Sequence, residues 1–265
     1  MARIFAITNQ KGGVGKTTTC VNLAASLAAT KRRVLLVDLD PQGNATMGCG
    51  VNKHDVARSA YDVLLAEASI AEALVKTESE NLAIIPSNSD LTAAEVALMN
   101  TEGREHRLRD ALAKVSNDFD YVLIDCPPSL NMLTLNALTA AQGVIIPMQC
   151  EYYALEGLSA LVETIEQMRA SVNPELEIEG LLRTMFDPRN RLANDVSSQL
   201  DTHFGDKVYR TLIPRNIRLA EAPSHGMPVI AYDKSSRGAV AYLALAGEIL
   251  RREEQQQQVI VEATG

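Results

Sequence analysis

The stretch Gln10-Lys-Gly-Gly-Val-Gly-Lys-Thr-Thr-Thr19 decides the fold of this chain. It follows a short apolar run at 4–8 and precedes residues 21–29, whose alanines and leucines favour a helix. The predicted order is therefore strand, glycine-rich loop, helix. Glycines let backbone N–H groups converge at this point, and the helix adds its positive N-terminal end. Such a loop binds phosphate, and an ordinary glycine turn is the alternative.

Two side chains of the loop suit a nucleotide. Lys16 can reach the β- and γ-phosphates as a point charge, and the Thr17 hydroxyl is placed to ligate Mg²⁺. The loop residues predicted to contact the nucleotide are Gly12, Gly13, Val14, Gly15, Lys16, Thr17 and Thr18.

Two further apolar runs end in acidic residues. Residues 33–37 lead into Asp38 and Asp40, as expected for a buried parallel strand whose carboxyl end meets a ligand. Residues 121–124 lead into Asp125, which would reach Mg²⁺ through water. Acids that merely cap strand ends are the alternative. The glycine loop makes the magnesium interpretation of Asp125 the stronger one.

The composition indicates a soluble, cytoplasmic α/β protein. The chain has 265 residues, of which 46% are apolar, and this is ample for a core. No leader precedes the first strand, and no apolar run approaches membrane-spanning length. Cys20, Cys49, Cys126 and Cys150 are too widely spaced for a zinc site or a disulfide framework. Because the net charge is −8, any contact with nucleic acid must be local.

The glycine loop departs from the general phosphate-loop pattern in one informative way. Gln10 stands where that pattern has glycine, and a second lysine, Lys11, precedes the glycines. With the motifs at 38–46 and 149–158, this form resembles the ParA/MinD family of ATPases, and in particular its chromosomal ParA (Soj) branch. The resemblance implies a P-loop fold, doubly wound around a mostly parallel sheet flanked by helices.

By this resemblance, Lys11 contacts the nucleotide of a partner subunit, so that ATP lies between two copies of the chain. An arginine finger supplied in trans works in the same way in other phosphoryl-transfer proteins. A solvated surface lysine is the alternative. The resemblance also makes Asp40 the residue that positions or activates the attacking water. The predicted catalytic residues are Lys11, Lys16 and Asp40.

The resemblance implies roles for three further residues. Asp38 is expected to support the Mg²⁺ from behind Thr17 and Asp125. In relatives, the loop after a late strand at about 212 holds the adenine. Pro214 is therefore expected to pack on the base and Asn216 to read its edge.

Residues 183–218 differ in charge from the rest of the chain. They carry a net charge of +3, against −11 for the remainder. A solvated loop explains this equally well from charge alone. Chromosomal ParA proteins, however, bind DNA without sequence preference as ATP-bound dimers. By resemblance, the predicted DNA contacts are Arg189 and Arg218, supported by Lys207, Arg210 and Arg237.

The end of the chain bears on membrane binding. We expect one ATPase domain over 1–252 and a polar, disordered tail over 253–265. The last helix, 237–252, should bury Val240, Leu243, Ala244, Ile249 and Leu250. The tail lacks the apolar and lysine-rich faces with which MinD-type relatives bind membranes. No membrane contact is therefore expected.

The resemblance implies a chromosome-partitioning ATPase that acts on the nucleoid. MgATP would close a homodimer on double-stranded DNA, and hydrolysis stimulated by a ParB-type partner would release it. Two alternatives use the same scaffold, namely an ATP-dependent small-molecule synthase and a MinD-like positioning ATPase. A metal-cluster carrier would need cysteines that bridge the dimer.

Overall fold

The computed structural model describes residues 1–99 and 101–264, which contain a seven-stranded sheet. Its strands are β1 (Arg3–Ile7), β2 (Val34–Asp38), β3 (Val75–Lys76), β4 (Leu82–Ile85), β5 (Tyr121–Asp125), β6 (Gly143–Met148) and β7 (Glu177–Arg183). Their order is β3-β4-β2-β5-β1-β6-β7. All neighbours are parallel except β3 and β4. The predicted doubly wound, mostly parallel sheet is confirmed.

Helices follow most strands. They are α1 (Lys16–Ala29), α2 (Asn44–Gly48), α3 (Ala60–Leu64), α4 (Ile70–Ala73), α5 (Leu91–Leu98), α6 (Arg107–Ala113), α7 (Met132–Ala140), α8 (Ala154–Ser171), α9 (Arg191–Phe204), α10 (Ile217–Glu221), α11 (Val229–Tyr232) and α12 (Arg237–Thr264). Short 3-10 turns lie at Arg104–His106, Gly205–Lys207 and Ala222–His225. Within these described residues, no helix combines the length and the apolar character needed to cross a membrane.

The strands bury side chains alternately on the two faces of the sheet, as a period of two requires. On β1, Ile4 and Ala6 join one apolar cluster, whereas Phe5 and Ile7 join the other. Helices α7 and α8 contribute to the first cluster, and α1 and α12 to the second. Both faces of the sheet are therefore covered, which explains why its strands are almost uniformly apolar.

The register of the three central strands brings their carboxyl ends together. Asp125 on β5 is the register partner of Ile7 on β1 and of Asp38 on β2. The loop that follows β1 therefore begins beside both acids, in the middle of one edge of the sheet. This is where ligands bind in open parallel sheets.

The late strand predicted at about 212 does not form. Residues 208–214 run along β7 but make only isolated parallel bridges, at Val208 with Leu181 and at Pro214 with Phe186. The reason is that the backbone N–H groups of Arg210 and Thr211 donate to the Glu248 carboxylate instead of to a strand. The segment is held by α12 as much as by the sheet.

The buried face of α12 also differs from the prediction. Ile249 is buried as expected, but Val240 is 55% exposed and Ala244 is exposed. The residues that face the core are Ala239, Tyr242, Leu245, Ala246 and Ile249. A buried hydrogen bond of 3.1 Å between the Tyr242 and Thr19 hydroxyls fixes this rotation against α1. An apolar pattern on a helix with two partly apolar sides could not reveal it.

The last helix extends beyond the predicted end at Arg252 and reaches Thr264. Glu253 explains the continuation, because its side chain contacts both Arg3 and the Tyr121 hydroxyl. Glutamate and glutamine are also good helix formers. The division of the chain at residue 252 stays a prediction, and Gly265 lies outside the described residues.

Candidate functional site

The glycine-rich loop joins β1 to α1 and adopts backbone angles that favour glycine. Gly13 has φ 75° and Gly15 has φ 89°, both in the left-handed region. A Cβ atom at Gly13 would meet nothing within 4 Å, so backbone conformation rather than crowding calls for glycine there. Val14 between them is 1% exposed and anchors the loop in the protein.

Neighbouring strand ends hold this loop by hydrogen bonds. The Thr184 hydroxyl, just after β7, donates to the Val14 carbonyl at 2.7 Å. The Gln149 amide, just after β6, donates to the Gly13 carbonyl at 3.3 Å. Asn9 donates to the Pro147 carbonyl at 2.9 Å. These three supports were not predicted from the sequence, although Gln149 opens the stretch 149–158 that carries part of the resemblance.

Lys16 is almost fully buried at the start of α1. Its ammonium donates to the Lys11 carbonyl at 3.2 Å. Burial lowers the pKa of Lys16, and the negative charge of Asp125 opposes that shift. The predicted neighbourhood of Lys16 and Asp125 is therefore present in the structure.

Asp125 is fully buried, and in the described part of the chain neither carboxylate oxygen has a hydrogen-bond partner of ordinary geometry. Burial and the charge of Asp38 raise the pKa of Asp125 well above its usual range, and the nearby Thr17 hydroxyl offsets only part of the rise. Buried carboxylates without partners are costly. A cation beside Thr17 and Asp125 would remove this cost, so the donor set fits a hard divalent ion.

Asp38 is equally buried but is well supplied with donors. Its oxygens accept from the Thr46 hydroxyl at 2.7 Å, the Thr46 N–H at 2.8 Å and the Asp40 N–H at 3.1 Å. Burial raises the pKa of Asp38 to about 6, although these hydrogen bonds oppose the rise. Asp38 thus holds the turn from Asp40 to Thr46 against the sheet, next to Asp125 on the adjacent strand.

Asp40 is partly buried at the beginning of that turn. Its carbonyl accepts from the Ser87 hydroxyl at 2.7 Å, and its carboxylate accepts from the Gln42 N–H at 2.9 Å. Its negative charge acts on both Lys16 and Asp125. The structure therefore brings Lys16, Asp40 and Asp125 into one site.

Lys11 lies on the outer side of the loop. Its side chain is 46% exposed, and its ammonium contacts the Glu151 carboxylate at 2.6 Å. Tyr152 and Tyr153 follow Glu151 and are 74% and 70% exposed. Sequence reasoning did not anticipate this ion pair, because 140 residues separate its members.

Pro214 lines an apolar cavity of about 470 Å³. Its lining includes Phe186, Pro188, Leu212, Pro214, Val240 and Ala244. Asn216 does not line it, and its oxygen caps α10 by accepting from the Arg218 N–H at 3.1 Å. The structure thus places Pro214 on an apolar surface but engages the Asn216 side chain locally.

The predicted DNA contacts form two groups. Arg237 lines the apolar cavity, Arg189 follows the lining residue Pro188, and Arg218 pairs with Asp233 near the lining residue Ser235. These three arginines are here called the arginine rim. Arg189 pairs with Asp187 at 2.8 Å, and Arg218 pairs with Glu221 at 2.7 Å and with Asp233 at 3.3 Å.

Lys207 and Arg210 line a mixed-charge groove of about 1320 Å³ along β7 and α12, which shares Thr211 and Ala244 with the apolar cavity. Lys207 pairs with Glu177 at the beginning of β7, about 20 Å of strand away from the end that leads to Asp187. Arg183, which contributes to the positive charge of 183–218, is buried and donates to the Tyr209 carbonyl. Lys207 therefore lies apart from the arginine rim, whereas Arg210 precedes Thr211, which lines both the groove and the cavity.

Comparisons with known proteins agree with this geometry. A family profile described as an AAA domain matches residues 2–178. The chromosome partitioning protein ParA of Caulobacter vibrioides is 52% identical over 257 residues, 96% of each chain. The sporulation initiation inhibitor protein Soj of Bacillus subtilis is 55% identical over 94% of this chain and 98% of its own. The crystal structure of cobyrinic acid a,c-diamide synthase from Mycobacterium smegmatis, with an ATP analogue and magnesium, is 40% identical and superposes with a TM-score of 0.84 over 96% of both chains.

Proposed function

Because this chain belongs to the ParA/MinD family of P-loop ATPases, and to its chromosome-partitioning ParA (Soj) branch, we propose that it is a DNA-binding nucleotide switch. It binds MgATP, pairs with a second copy on DNA, and leaves the DNA after hydrolysis. The observation that carries this proposal is the buried Asp125 carboxylate, whose oxygens lack partners in the described residues while it lies beside Lys16 and Thr17.

The residues around Asp125 define how a nucleotide is held. Lys16 neutralises the β- and γ-phosphates, and the backbone of the glycine loop surrounds them. Thr17 would hold Mg²⁺ directly and Asp125 through water, and Asp38 would keep the adjacent turn in place. When bound, Mg²⁺ neutralises charge that develops on the phosphate oxygens. Pro214 offers an apolar surface to the base, and Asn216 would have to leave its capping bond to Arg218 to read the edge of the base.

Asp40 is assigned to hydrolysis. Its backbone is fixed by Ser87, and its carboxylate lies close enough to Lys16 and Asp125 to influence both. It is less buried than Asp38, so water can reach it. A carboxylate in that position orients a water molecule toward the terminal phosphate.

The face around Lys11 is assigned to the second subunit. Lys11, Leu130, Tyr152 and Tyr153 all follow the carboxyl ends of central strands, so they lie at the same edge of the sheet. The three apolar side chains are each more than half exposed. Exposed aromatic residues beside a nucleotide loop suit an interface. In the pair, Lys11 contacts the partner's nucleotide.

The arginine rim is assigned to DNA. Arg189 and Arg218 each contribute one weak phosphate contact with Arg237 in support, and a dimer brings two rims to one duplex and gains by avidity. Asp187, whose pKa Arg189 lowers to about 2, stays ionised at neutral pH. A DNA phosphate therefore has to displace the Asp187 carboxylate from the Arg189 guanidinium. We include a ParB-type partner that stimulates hydrolysis because the chain belongs to the chromosome-partitioning branch of the family.

A gel shift on random duplex DNA tests the proposal, with a slowly hydrolysed ATP analogue, ADP or no nucleotide. We expect a shift only with the analogue, and light scattering should report a dimer under the same condition. Lys11→Ala should still bind nucleotide as a single subunit but should neither dimerise nor shift DNA. Equal DNA binding in all three nucleotide conditions would contradict the switch.

A small-molecule synthase is the second candidate, favoured by the mycobacterial structure, whose name is that of a diamide synthase. Such an enzyme consumes ATP in proportion to a carboxylic acid and an amine donor. The switch consumes ATP in response to DNA and a partner protein. Measuring ATP turnover with each set of additions separates the two candidates.

A further inference from the structure

The turn between β6 and α8 contacts the nucleotide loop at two points. Gln149 donates to the Gly13 carbonyl at 3.3 Å, and Glu151 contacts the Lys11 ammonium at 2.6 Å. Gln149 contacts the backbone of the loop. Glu151 contacts the Lys11 side chain, which in the proposed function contacts the nucleotide of the partner subunit. Glu151 itself has no role in that function.

The geometry makes the two engagements of Lys11 mutually exclusive. An ammonium at 2.6 Å from a carboxylate within its own chain is not free to contact a phosphate of a second chain. A carboxylate carries one negative charge, whereas a terminal phosphate with its neighbours carries more. A terminal phosphate of the partner's nucleotide can therefore compete with Glu151 for the Lys11 ammonium.

We propose that Glu151 is a positioning residue that holds Lys11 within its own subunit. ATP-dependent pairing then requires each Lys11 to exchange Glu151 for a phosphate on the partner's nucleotide. This inference rests on the proposed function, in which Lys11 acts across the subunit interface. Glu151 raises the nucleotide concentration at which subunits pair, and so suppresses pairing by weaker anions.

The size of the effect follows from the exposure of the pair. Both side chains are about half exposed, at 46% and 52%. An exposed ion pair changes an equilibrium by about 1.5- to 5-fold. Two such pairs are broken for each dimer formed, so the dimerisation constant changes by about 2- to 25-fold.

The test is a light-scattering titration with the slowly hydrolysed ATP analogue, in which Glu151→Gln is compared with wild type. The variant keeps the size of the side chain but removes its charge, and it should pair about 2- to 25-fold more readily. Glu151→Asp keeps the charge and should fall between wild type and Glu151→Gln. In a Lys11→Ala background, Glu151→Gln should have no effect, because the partner of Glu151 is already gone.

The direction of the change separates positioning from a structural role. Damage to the fold would weaken pairing, whereas loss of a competing contact strengthens it. Unchanged or weaker pairing of Glu151→Gln, while wild type still pairs, would overturn the role of Glu151 and leave the proposed function intact. Wild-type protein that stays single with the analogue would instead overturn the proposed function, and this inference with it.

Discussion

Asp38 and Asp125 are register partners on adjacent strands, yet their surroundings give them different tasks. Three hydrogen bonds occupy Asp38 and make it a structural anchor for the turn that follows. Among the described residues Asp125 has no hydrogen-bond donor of comparable geometry, and the nearby Thr17 hydroxyl and Lys16 ammonium offset only part of the cost of burying it. Asp38 thus shapes the site, and Asp125 is the residue to which the proposed function gives the metal.

The burial of Asp38 and Asp125 predicts that the stability of the protein, and its stabilisation by MgADP, depend on pH. Burial raises the pKa of Asp38 to about 6 and also raises that of Asp125. The native state therefore binds more protons than the unfolded chain, whose aspartates titrate near 3.9, and without metal ions stability should fall as pH rises from about 4 to 6. Mg²⁺ needs the ionised form. MgADP should consequently raise the melting temperature more at pH 7.5 than at pH 5.5.

The control for this prediction is Asp125→Asn, which keeps the shape but removes the charge. Relative to EDTA, Mg²⁺ should give this variant little stabilisation at either pH. Equal stabilisation of the wild type at both pH values would contradict the assignment of the buried acids to the metal.

Asp40 is predicted to serve hydrolysis alone. Asp40→Ala should lower ATP turnover by at least about 100-fold, the usual contribution of a positioned general base. DNA binding with ATP should persist, because Lys16, Thr17 and the arginine rim are unchanged. Asp110→Ala, at an exposed acid paired with Arg109, is the matched control and should turn over ATP normally. Normal turnover by Asp40→Ala would remove Asp40 from the mechanism.

Local motifs explain why part of the site could be predicted at this scale. The loop from Gly12 to Thr17 is recognisable because its function depends on neighbours in sequence. Glu151 and Thr184 could not be assigned in this way, because their contacts span 140 and 170 residues and depend on the strand order. Asn216 shows a further limit, since its capping bond to Arg218 competes with any contact to a base.

At the scale of elements, the segment 208–214 acts as a cover on the edge strand β7. Tyr209 is completely buried, with its ring against Gly180 and the Arg252 guanidinium 4.4 Å from the ring centroid on another side. A Cβ atom at Gly180 would lie 2.4 Å from the Tyr209 ring. The close approach of this segment to the sheet therefore requires glycine.

Gly180→Ala should accordingly destabilise the protein by about 1–3 kcal/mol, the usual cost of overpacking. Gly157→Ala is the matched control. Gly157 lies exposed on α8, and a Cβ atom there would meet nothing within 4 Å, so alanine should stabilise by up to about 1 kcal/mol. Urea denaturation measures both free energies of unfolding. Shifts of the same sign for the two variants would contradict the packing explanation.

Most elements were predictable because a buried parallel strand is a continuous apolar run, as in β2 and β5. The antiparallel β3 has only two residues and carries no such signal. The segment 208–214 looks like a strand in sequence, but Glu248 from a distant helix takes its N–H groups. The rotation of α12 likewise reflects tertiary contacts, namely the packing of its buried face and the hydrogen bond from Tyr242 to Thr19. These features are decided by tertiary contacts, which override local pattern.

At the scale of the whole molecule, a net charge of −8 coexists with the arginine rim. If Arg189 and Arg218 each meet one phosphate, a dimer makes about four contacts, and log K should fall with log salt at a slope near −3.6. Arg218→Glu should halve that slope to about −1.8 and weaken binding. Fluorescence anisotropy on random duplex DNA at several salt concentrations measures the slope.

Lys207→Glu tests whether DNA contact is confined to the rim. Lys207 pairs with Glu177 at the far end of β7, so this variant should keep a slope near −3.6. If Lys207→Glu reduced the salt slope as much as Arg218→Glu does, the DNA-binding surface would also include the mixed-charge groove. A salt-independent affinity of the wild type would remove the DNA assignment.

The hydrogen bond from Thr184 to Val14 also has a consequence for folding during synthesis on the ribosome. The two residues are 170 positions apart, and a ribosome adding about 5–20 residues per second needs roughly 9 to 34 s to make the intervening chain. Throughout that interval the emerging polypeptide displays its glycine loop without the later strands that brace it. The glycine loop therefore gains this support only after synthesis has passed β7.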